Sequence, residues 1–146
     1  WYDISWKGDE SKSGGIATNI GIHFFDMLAW LFGGVQENLV HLREKDKSAG
    51  YLEFEKARVR WYLSIDENSL PTNIREIGQR TYRSITINGE ELEFSTGFTE
   101  LHTKSYFQIL KGEGFGLVDA KESIKIAQKI RNNTIITLGE KHPFCS

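Results

Sequence analysis

The sequence predicts an α+β domain built around a sheet that is rich in antiparallel strands. Three observations predict this class: one helix-like stretch near the start, several strand-like stretches joined by short turns, and two helix-like stretches in the last third. Strand and helix do not alternate, as they would in a parallel sheet. The 146 residues suit a single domain over 1–146, and 39% hydrophobic residues are enough to form its core.

The first helix is predicted after the turn formed by Gly14 and Gly15. Either Thr18 or Asn19 suits its N-cap, and Gly33 supplies its C-terminal stop. Apolar residues recur through this stretch at the spacing of one helical face; they are Ile20, Phe24, Met27, Leu28 and Leu31.

Strands are predicted over residues 39–43, 51–55 and 57–65. The third strand alternates, so Ala57, Val59, Trp61, Leu63 and Ile65 share one face, while Arg58, Arg60, Tyr62 and Ser64 share the other. A polar, exposed linker is expected over 66–79. Asn88 and Gly89 then join two further strands, 81–87 and 90–94, in the pattern of a type I′ hairpin.

Two helices are predicted in the last third. Thr99 suits the cap of a helix that carries Leu101, Ile109 and Leu110 and ends at Gly112. Asp119 followed by Glu122 has the pattern of a capping box and predicts a helix that continues through Arg131. The glycine-rich link GEGFG follows a helix and lacks Gly-x-Gly-x-x-Gly spacing, so it favours a helix end and loop over a phosphate cradle.

Composition argues against several classes of function. The net charge of −2 gives no reason to expect a nucleic-acid partner. Cys145 is the only cysteine, which precludes an internal disulfide and suits a reducing, cytoplasmic location. No apolar run reaches the ~18 residues that a membrane span needs, and we expect no membrane partner. The chain starts at Trp1 without methionine, so we expect a fragment of a longer protein.

His23 is the candidate with the clearest chemical potential. Asn19 lies four residues before it, so the two side chains share one helical face, and Asp26 lies close to that face. From the pattern alone two interpretations stay open: a histidine buried in the core beside Ile22 and Phe24, or a catalytic imidazole that titrates near neutral pH.

The stretch GGIATNIGIHFFDMLAWLFGG resembles the C-terminal domain of the Gfo/Idh/MocA oxidoreductases, in which a glycine turn precedes a helix with Asp-x-x-x-His-x-x-Asp-x-x-x-Trp-Leu. Asn19, His23, Asp26, Trp30 and Leu31 occupy the matching positions. Over nearly the whole chain, stretches such as AGYLEFEKARVRWYLSI and TYRSITINGEELEFSTGFTELHTKSY are similar to the UDP-N-acetylglucosaminuronate (UDP-2-acetamido-2-deoxy-D-glucuronate) 3-dehydrogenases of bacterial lipopolysaccharide O-antigen synthesis.

This resemblance implies an open-faced sheet domain of the dihydrodipicolinate reductase-like (glyceraldehyde-3-phosphate dehydrogenase-like C-terminal) class, with helices packed on one face. It implies that the other sheet face meets a partner subunit, so we expect a homo-oligomer. It also implies NAD as cofactor, bound mainly by an N-terminal Rossmann domain that lies outside this chain. The reaction implied is oxidation of the C3 hydroxyl of a UDP-sugar acid.

The resemblance further implies site residues. His23 is the candidate base, in competition with a lysine of the absent domain. Asn19 stands where the wider family has aspartate, and an amide is able to position a group but not to accept its proton. Lys7, Lys12, Thr18 and Arg83 are candidates for binding the substrate diphosphate and carboxylate.

Each of these polar residues also has a purely structural interpretation. Lys7 and Lys12 suit solvated surface, Trp6 suits a core anchor, and Arg83 suits a charged sheet edge together with Arg80 and Tyr82. We expect His102 with Tyr106 on a helix surface and His41 on a strand surface. Histidine and cysteine spacing predicts no metal site.

The sequence leaves two functional classes open: half of an NAD-dependent enzyme, inactive without its cofactor domain, or a non-catalytic sugar-nucleotide-binding or dimerisation module of the same fold. Asparagine at position 19 slightly favours the module. His23 and the similarity over the whole chain favour the enzyme.

Overall fold

A computed structural model of the chain describes residues 2, 4–96 and 100–145. Contacts within it divide the chain into two compact units, residues 1–65 with 117–146 and residues 66–116. The first unit carries the main sheet and the long helices. The expected single domain over 1–146 therefore stays a prediction.

The main sheet has three antiparallel strands in the order β1 (Val35–Arg43), β2 (Lys47–Phe54) and β3 (Arg58–Ser64). Both connections are short turns, as the sequence predicts. The first two strands begin four residues earlier than expected. The predicted alternation of β3 is confirmed: Trp61 is buried with Val59 and Leu63 packed beside the core, while Arg58 and Arg60 are exposed.

Five helices accompany these strands in the part of the chain that is described: α1 (Glu10–Ser13), α2 (Ile22–Phe32), α3 (Thr72–Glu76), α4 (Leu101–Leu110) and α5 (Lys121–Asn132). A π-helical turn, Ala17–Gly21, leads directly into α2. Helices α2 and α5 cover one face of the sheet. The core lies between them and the strands, built from Phe25, Leu28, Leu52, Ile126 and Ile130 with their neighbours.

The capping predictions for α2 and α5 are wrong. Helical backbone before α2 already begins at Ile16, so neither Thr18 nor Asn19 is its N-cap. Helix α5 follows Ala120 without a side-chain cap, because Asp119 lies one residue too early for its carboxylate to occupy that position. The predicted stop at Gly33 is confirmed: its φ is 87° and its N–H donates to the Ala29 carbonyl at 2.9 Å.

The second unit holds the predicted hairpin, β4 (Ser84–Ile87) and β5 (Glu90–Glu93). Asn88 and Gly89 have φ of 53° and 88°, the two positive values that a type I′ turn requires. The expected linker contains α3, whose Ile74 is buried. Helix α4 ends near Gly112 as predicted. The proposed cap Thr99 lies outside the described residues.

The outer face of the main sheet is covered in part by the end of the chain. After α5, Ile136 N–H donates to the Val40 carbonyl at 2.7 Å, so this segment runs beside β1. Farther along, the His142 ring stacks on Tyr62 of β3 with ring centroids 5.6 Å apart. We call residues 134–145 the C-terminal strap.

One helical stretch has the length and composition to cross a membrane, although the sequence predicts no such run. It covers Glu10–Phe32, 23 residues. Gly14 and Gly15 interrupt it with left-handed φ of 75° and 81°. Phe25 and Leu28 of its second half are buried in the core, and the core helix of a soluble protein meets the same criteria. The stretch is therefore only weak evidence for a membrane span.

Candidate functional site

Gly21 determines which face of the first long helix points to solvent. A Cβ at this position would lie 2.7 Å from the Phe25 ring and 2.8 Å from Leu63 Cδ1, so only glycine allows the helix to approach the sheet this closely. Gly21, Phe25 and Leu28 are all buried. Since a helix turns by 3.6 residues, His23 and Asp26, which lie between them in sequence, fall on the opposite face and are exposed.

The outward stripe consists of Asn19, His23, Asp26 and Trp30. Asn19 is half-buried, whereas His23 and Asp26 are exposed and Trp30 is 81% exposed. The interpretation of His23 as a core residue is therefore wrong. Its imidazole makes no hydrogen bond, ion pair or ring contact with any other described residue, and it borders open surface. Its nitrogens are accessible to a ligand.

The glycine turn before the helix is held by local hydrogen bonds. Thr18 Oγ1 donates to the Gly14 carbonyl at 2.9 Å, and a Cβ on Gly14 would come within 2.8 Å of that same oxygen. The Gly15 N–H donates to Ser13 Oγ at 3.1 Å. The Thr18 hydroxyl proton thus serves the turn, and only the lone pairs of its oxygen remain for a ligand.

Asn19 points its amide nitrogen back into this turn. Nδ2 donates to the Gly15 carbonyl at 3.1 Å and to the Ser13 carbonyl at 3.2 Å, with a longer contact of 3.4 Å to the Tyr2 hydroxyl. Since Asn19 lies within the π-helical turn, its side chain reaches the preceding loop as well as the helix. π-helical turns are rare and frequent at functional sites.

The two lysines near this turn occupy different surroundings. Lys7, in a short 3₁₀ turn (Trp6–Gly8), lines a small depression together with Tyr2, Gly15 and Glu10. Lys12 forms an ion pair with Asp9 at 3.0 Å, which favours its surface interpretation. Hydrogen bonds from Ser11 and from Lys12 hold the pKa of Asp9 below its ordinary value. Trp6 is 59% exposed, so the core-anchor interpretation is wrong.

Arg83 belongs to the second unit, and the contacts described for it lie within that unit. Its N–H donates to Ser95 Oγ at 2.9 Å and its Nη1 to the Ser95 carbonyl at 3.2 Å, which extends the hairpin. Tyr82 donates to Glu91 across the same hairpin. These bonds favour the structural interpretation for both residues. His102 and Tyr106 are exposed on α4, as expected.

His41 is buried, and the prediction of a surface position is wrong. Only 7% of the residue is exposed, and both ring nitrogens lie without a hydrogen-bond partner. The strap causes this burial: a Cβ on Gly139 would lie 3.6 Å from His41 Nε2. Desolvation first, and then the charge of Lys141, lower the pKa of His41. The residue pattern of β1 could not predict that a segment ~100 residues later in the sequence covers His41.

Two arrangements in the described part of the chain would indicate a cofactor site: a cluster of metal-ligating side chains and a glycine-rich phosphate cradle. No group of three or more His, Cys, Asp or Glu residues there converges on a point. The link at 112–116 is a helix end: the Gly112 N–H donates to Ile109 and the Glu113 N–H to Gln108. The amides of Gly112 and Glu113 therefore close the helix end, as the sequence favours.

Comparison with known proteins gives a consistent result. Residues 1–139 match a family model described as "Oxidoreductase family, C-terminal alpha/beta domain", GFO_IDH_MocA_C. Two solved structures of the WlbA (WbpB) dehydrogenase from Thermus thermophilus superpose with a TM-score of 0.93, at 56% and 55% identity. One is a complex with NAD and α-ketoglutarate, the other with NAD and UDP-GlcNAcA. The chain is covered to 99% but spans 47% of the length of either relative.

Proposed function

The chain belongs to the Gfo/Idh/MocA oxidoreductase family, whose C-terminal α/β domain it matches, and from this premise we propose that it is the substrate side of an NAD-dependent sugar-nucleotide dehydrogenase. The reaction is oxidation of the C3 hydroxyl of a UDP-N-acetyl-hexosaminuronate to the 3-keto sugar. The similarity to the T. thermophilus dehydrogenase, and that protein's complexes with NAD and with UDP-GlcNAcA, support this substrate class.

The single observation that carries the proposal is the placement of His23. The histidine extends from a helix whose opposite face is fixed against the sheet by Gly21, and its ring is exposed and unpaired among the described residues. A rigid support with an accessible imidazole is what a general base requires, since it must stand within hydrogen-bond reach of the proton it removes.

In the proposed mechanism an imidazole nitrogen of His23 accepts the proton of the C3 hydroxyl as negative charge develops on the oxygen. The C–H electron pair leaves C3 as hydride, and the C–O bond becomes a carbonyl. NAD, when bound, supplies the acceptor for that hydride. A lysine of the N-terminal half remains the rival base.

The residues present are consistent with a cofactor that is held elsewhere. In the glycine-rich link at 112–116 the amides of Gly112 and Glu113 are bonded to the helix end, and the described residues contain no strand–glycine turn–helix arrangement that would bind a pyrophosphate. We therefore assign NAD binding to an N-terminal Rossmann domain. The relatives are about twice as long as this chain, which leaves room for such a domain.

We place the protein in the cytoplasm, in lipopolysaccharide O-antigen synthesis, as a homo-oligomer that associates through the outer face of its sheet. Part of that face is covered by the C-terminal strap, while Arg58 and Arg60 remain exposed on it. A partner would therefore contact both the strap and β3.

Light scattering on the intact protein should give a mass above that of the monomer. Arg60→Glu on the outer face should lower this mass, whereas Arg75→Glu on α3 should leave it unchanged.

The test uses the full-length protein with a panel of UDP-uronates and NAD. Replacement of His23 by alanine should lower turnover by roughly two to four orders of magnitude, because the base is lost, and should leave the affinity for NAD unchanged. His102→Ala, an exposed histidine on α4, is the matched control and should keep wild-type rates.

An unchanged rate in the His23→Ala enzyme would remove the imidazole from the chemistry and favour the lysine. If the wild-type protein binds a UDP-uronate but transfers no hydride from any member of the panel, the chain is the non-catalytic binding module instead.

A further inference from the structure

The side-chain amide of Asn19 uses its donor atom on the protein itself. Nδ2 lies 3.1 and 3.2 Å from the carbonyl oxygens of Gly15 and Ser13, and 3.4 Å from the Tyr2 hydroxyl. Both carbonyls belong to the turn with the left-handed glycines. No hydrogen bond joins Asn19 to His23 in the part of the chain that is described. The amide therefore contacts the turn and not the imidazole.

The chemistry of these contacts requires a donor. A carbonyl oxygen only accepts hydrogen bonds, and an amide nitrogen supplies two N–H groups, whereas an ionised carboxylate supplies none. An aspartate in the same rotamer would place a negative oxygen against two carbonyl oxygens. The turn as built is thus specific for asparagine at position 19.

The turn that Asn19 holds also borders the depression that contains Lys7. Tyr2, Lys7 and Gly15 line it, and Tyr2 and Gly15 are themselves contacts of the Asn19 amide. A change in the turn therefore changes the shape of the depression that Lys7 lines. The charge of the depression is mixed, because it is also lined by Glu10, Glu44 and Lys45. Lys7 is a cation in it with which an anionic group of a ligand would pair.

We propose that Asn19 is a positioning residue for the substrate-binding side of the site: its amide nitrogen fixes the 13–15 turn, and with it the shape of the depression that Lys7 lines, and it does not orient His23. The inference rests on the proposed function for its kinetic consequence but not for its structural one. The Asn19 amide sets how tightly the anionic part of the sugar nucleotide binds and leaves the proton transfer unaffected.

A carboxylate at position 19 distinguishes a role of Asn19 in helix stability from a role in holding the turn. Asn19 lies in the first turn of helical backbone, where negative charge is favourable. If Asn19 served only helix stability, Asn19→Asp would be neutral or stabilising. If its donor holds the turn, the same change loosens the turn even where the melting temperature is preserved.

The experiment compares wild type, Asn19→Asp and Asn19→Ala in the full-length enzyme with a UDP-uronate. The matched control is Asn73→Asp, which places the same change in the first turn of α3, on an exposed residue of the other unit. Both Asn19 variants should raise KM for the sugar nucleotide about tenfold, the effect of losing one to two hydrogen bonds. Turnover and its pH profile should match wild type, as should all parameters of the control.

Hydrogen exchange of the peptide covering 10–19 gives a second measurement that requires no substrate. Backbone amides of the 13–15 turn should exchange at least tenfold faster in both Asn19 variants and unchanged in Asn73→Asp. A fall in turnover with a shifted pH profile and unaltered KM would overturn the proposal, because it would assign Asn19 to His23. Unchanged exchange in the turn would also overturn it. If wild type turns over no UDP-uronate, the proposed function fails while hydrogen exchange still decides the role of the amide.

Discussion

At the scale of single residues, Gly21 and His23 lie on opposite faces of one helix, and the packing of the first determines the exposure of the second. The glycine permits close contact with Phe25 and Leu63 on the inner side, and this contact fixes the outward direction of the histidine two residues later. The spacing of Asn19, His23 and Asp26 was visible in the sequence, but the two candidate interpretations of His23 were not separable until the buried side of the helix was known.

Gly21→Ala should destabilise the protein. The added methyl would lie within 3 Å of Phe25 and Leu63 atoms, and overpacking of this kind costs about 1–3 kcal/mol. The better helix propensity of alanine returns less than about 1 kcal/mol, so we expect a net loss of about 1–2 kcal/mol in chemical denaturation. Gly34→Ala, which meets only the flexible end of Glu55, serves as the control. Equal stability of the two variants would contradict the packing argument.

At the scale of elements, the end of α5 is fixed by a side chain from β1. Arg43 Nη1 donates to the carbonyls of Ile130 at 2.9 Å, Arg131 at 3.0 Å and Asn133 at 2.9 Å. The last carbonyls of a helix have no partner within the helix, and a cation there also interacts favourably with the helix dipole. One guanidinium thereby joins the sheet to the helix that covers it.

Arg43→Met keeps most of the side-chain volume and removes the three hydrogen bonds. We expect the free energy of unfolding to fall by about 2 kcal/mol, within the range for hydrogen bonds that involve a charged group. Urea denaturation measures it, with Arg75→Met on the exposed side of α3 as the control. A loss no larger than that of the control would show that water replaces the guanidinium without cost.

The sequence predicted elements well where one local signal dominates, and poorly at their ends. Asn88-Gly89 fixed the hairpin because only a few residues adopt two positive φ angles. The predicted start of the first long helix was wrong because the Thr18 hydroxyl and the Asn19 amide donate to backbone carbonyls of the preceding turn. A capping side chain would instead accept hydrogen bonds from N–H groups of the helix. Local periodicity does not encode that competition.

At the scale of the whole molecule, the C-terminal strap changes what the sheet presents to solvent. It covers His41 and Tyr62 on the outer face, for which the family resemblance implies contact with a partner subunit. The strap contains few strong structural signals, and its position depends on contacts with strands distant in sequence. The burial of His41 is therefore the part of the fold that sequence patterns were least able to predict.

This burial makes stability depend on pH. Desolvation lowers the pKa of His41 below the ordinary 6.5, and desolvation together with Arg60 lowers that of His142. Between the lowered pKa and 6.5 the unfolded chain binds more protons than the folded one, so stability falls as the pH drops through this window. Carboxylates such as Glu91 and Glu93 contribute only at lower pH, below their ordinary value of 4.5.

Thermal unfolding measured from pH 7.5 to 5 should show this loss, and His41→Gln should reduce it. His102→Gln on the exposed face of α4 is the matched control and should retain the wild-type slope. Identical slopes for wild type and His41→Gln would show that His41 is not desolvated in the folded state.

The close packing at Gly21 also limits which substitutions can change the specificity of this site. Because no side chain fits between the helix and the sheet at this position, the distance between the helix that carries His23 and the sheet cannot change by repacking. Relatives with a different preference for the sugar must then obtain it from the solvent side, through the loop and the exposed stripe. Directed evolution of specificity should accordingly collect its changes around positions 7–19 and 26–30 and leave position 21 untouched.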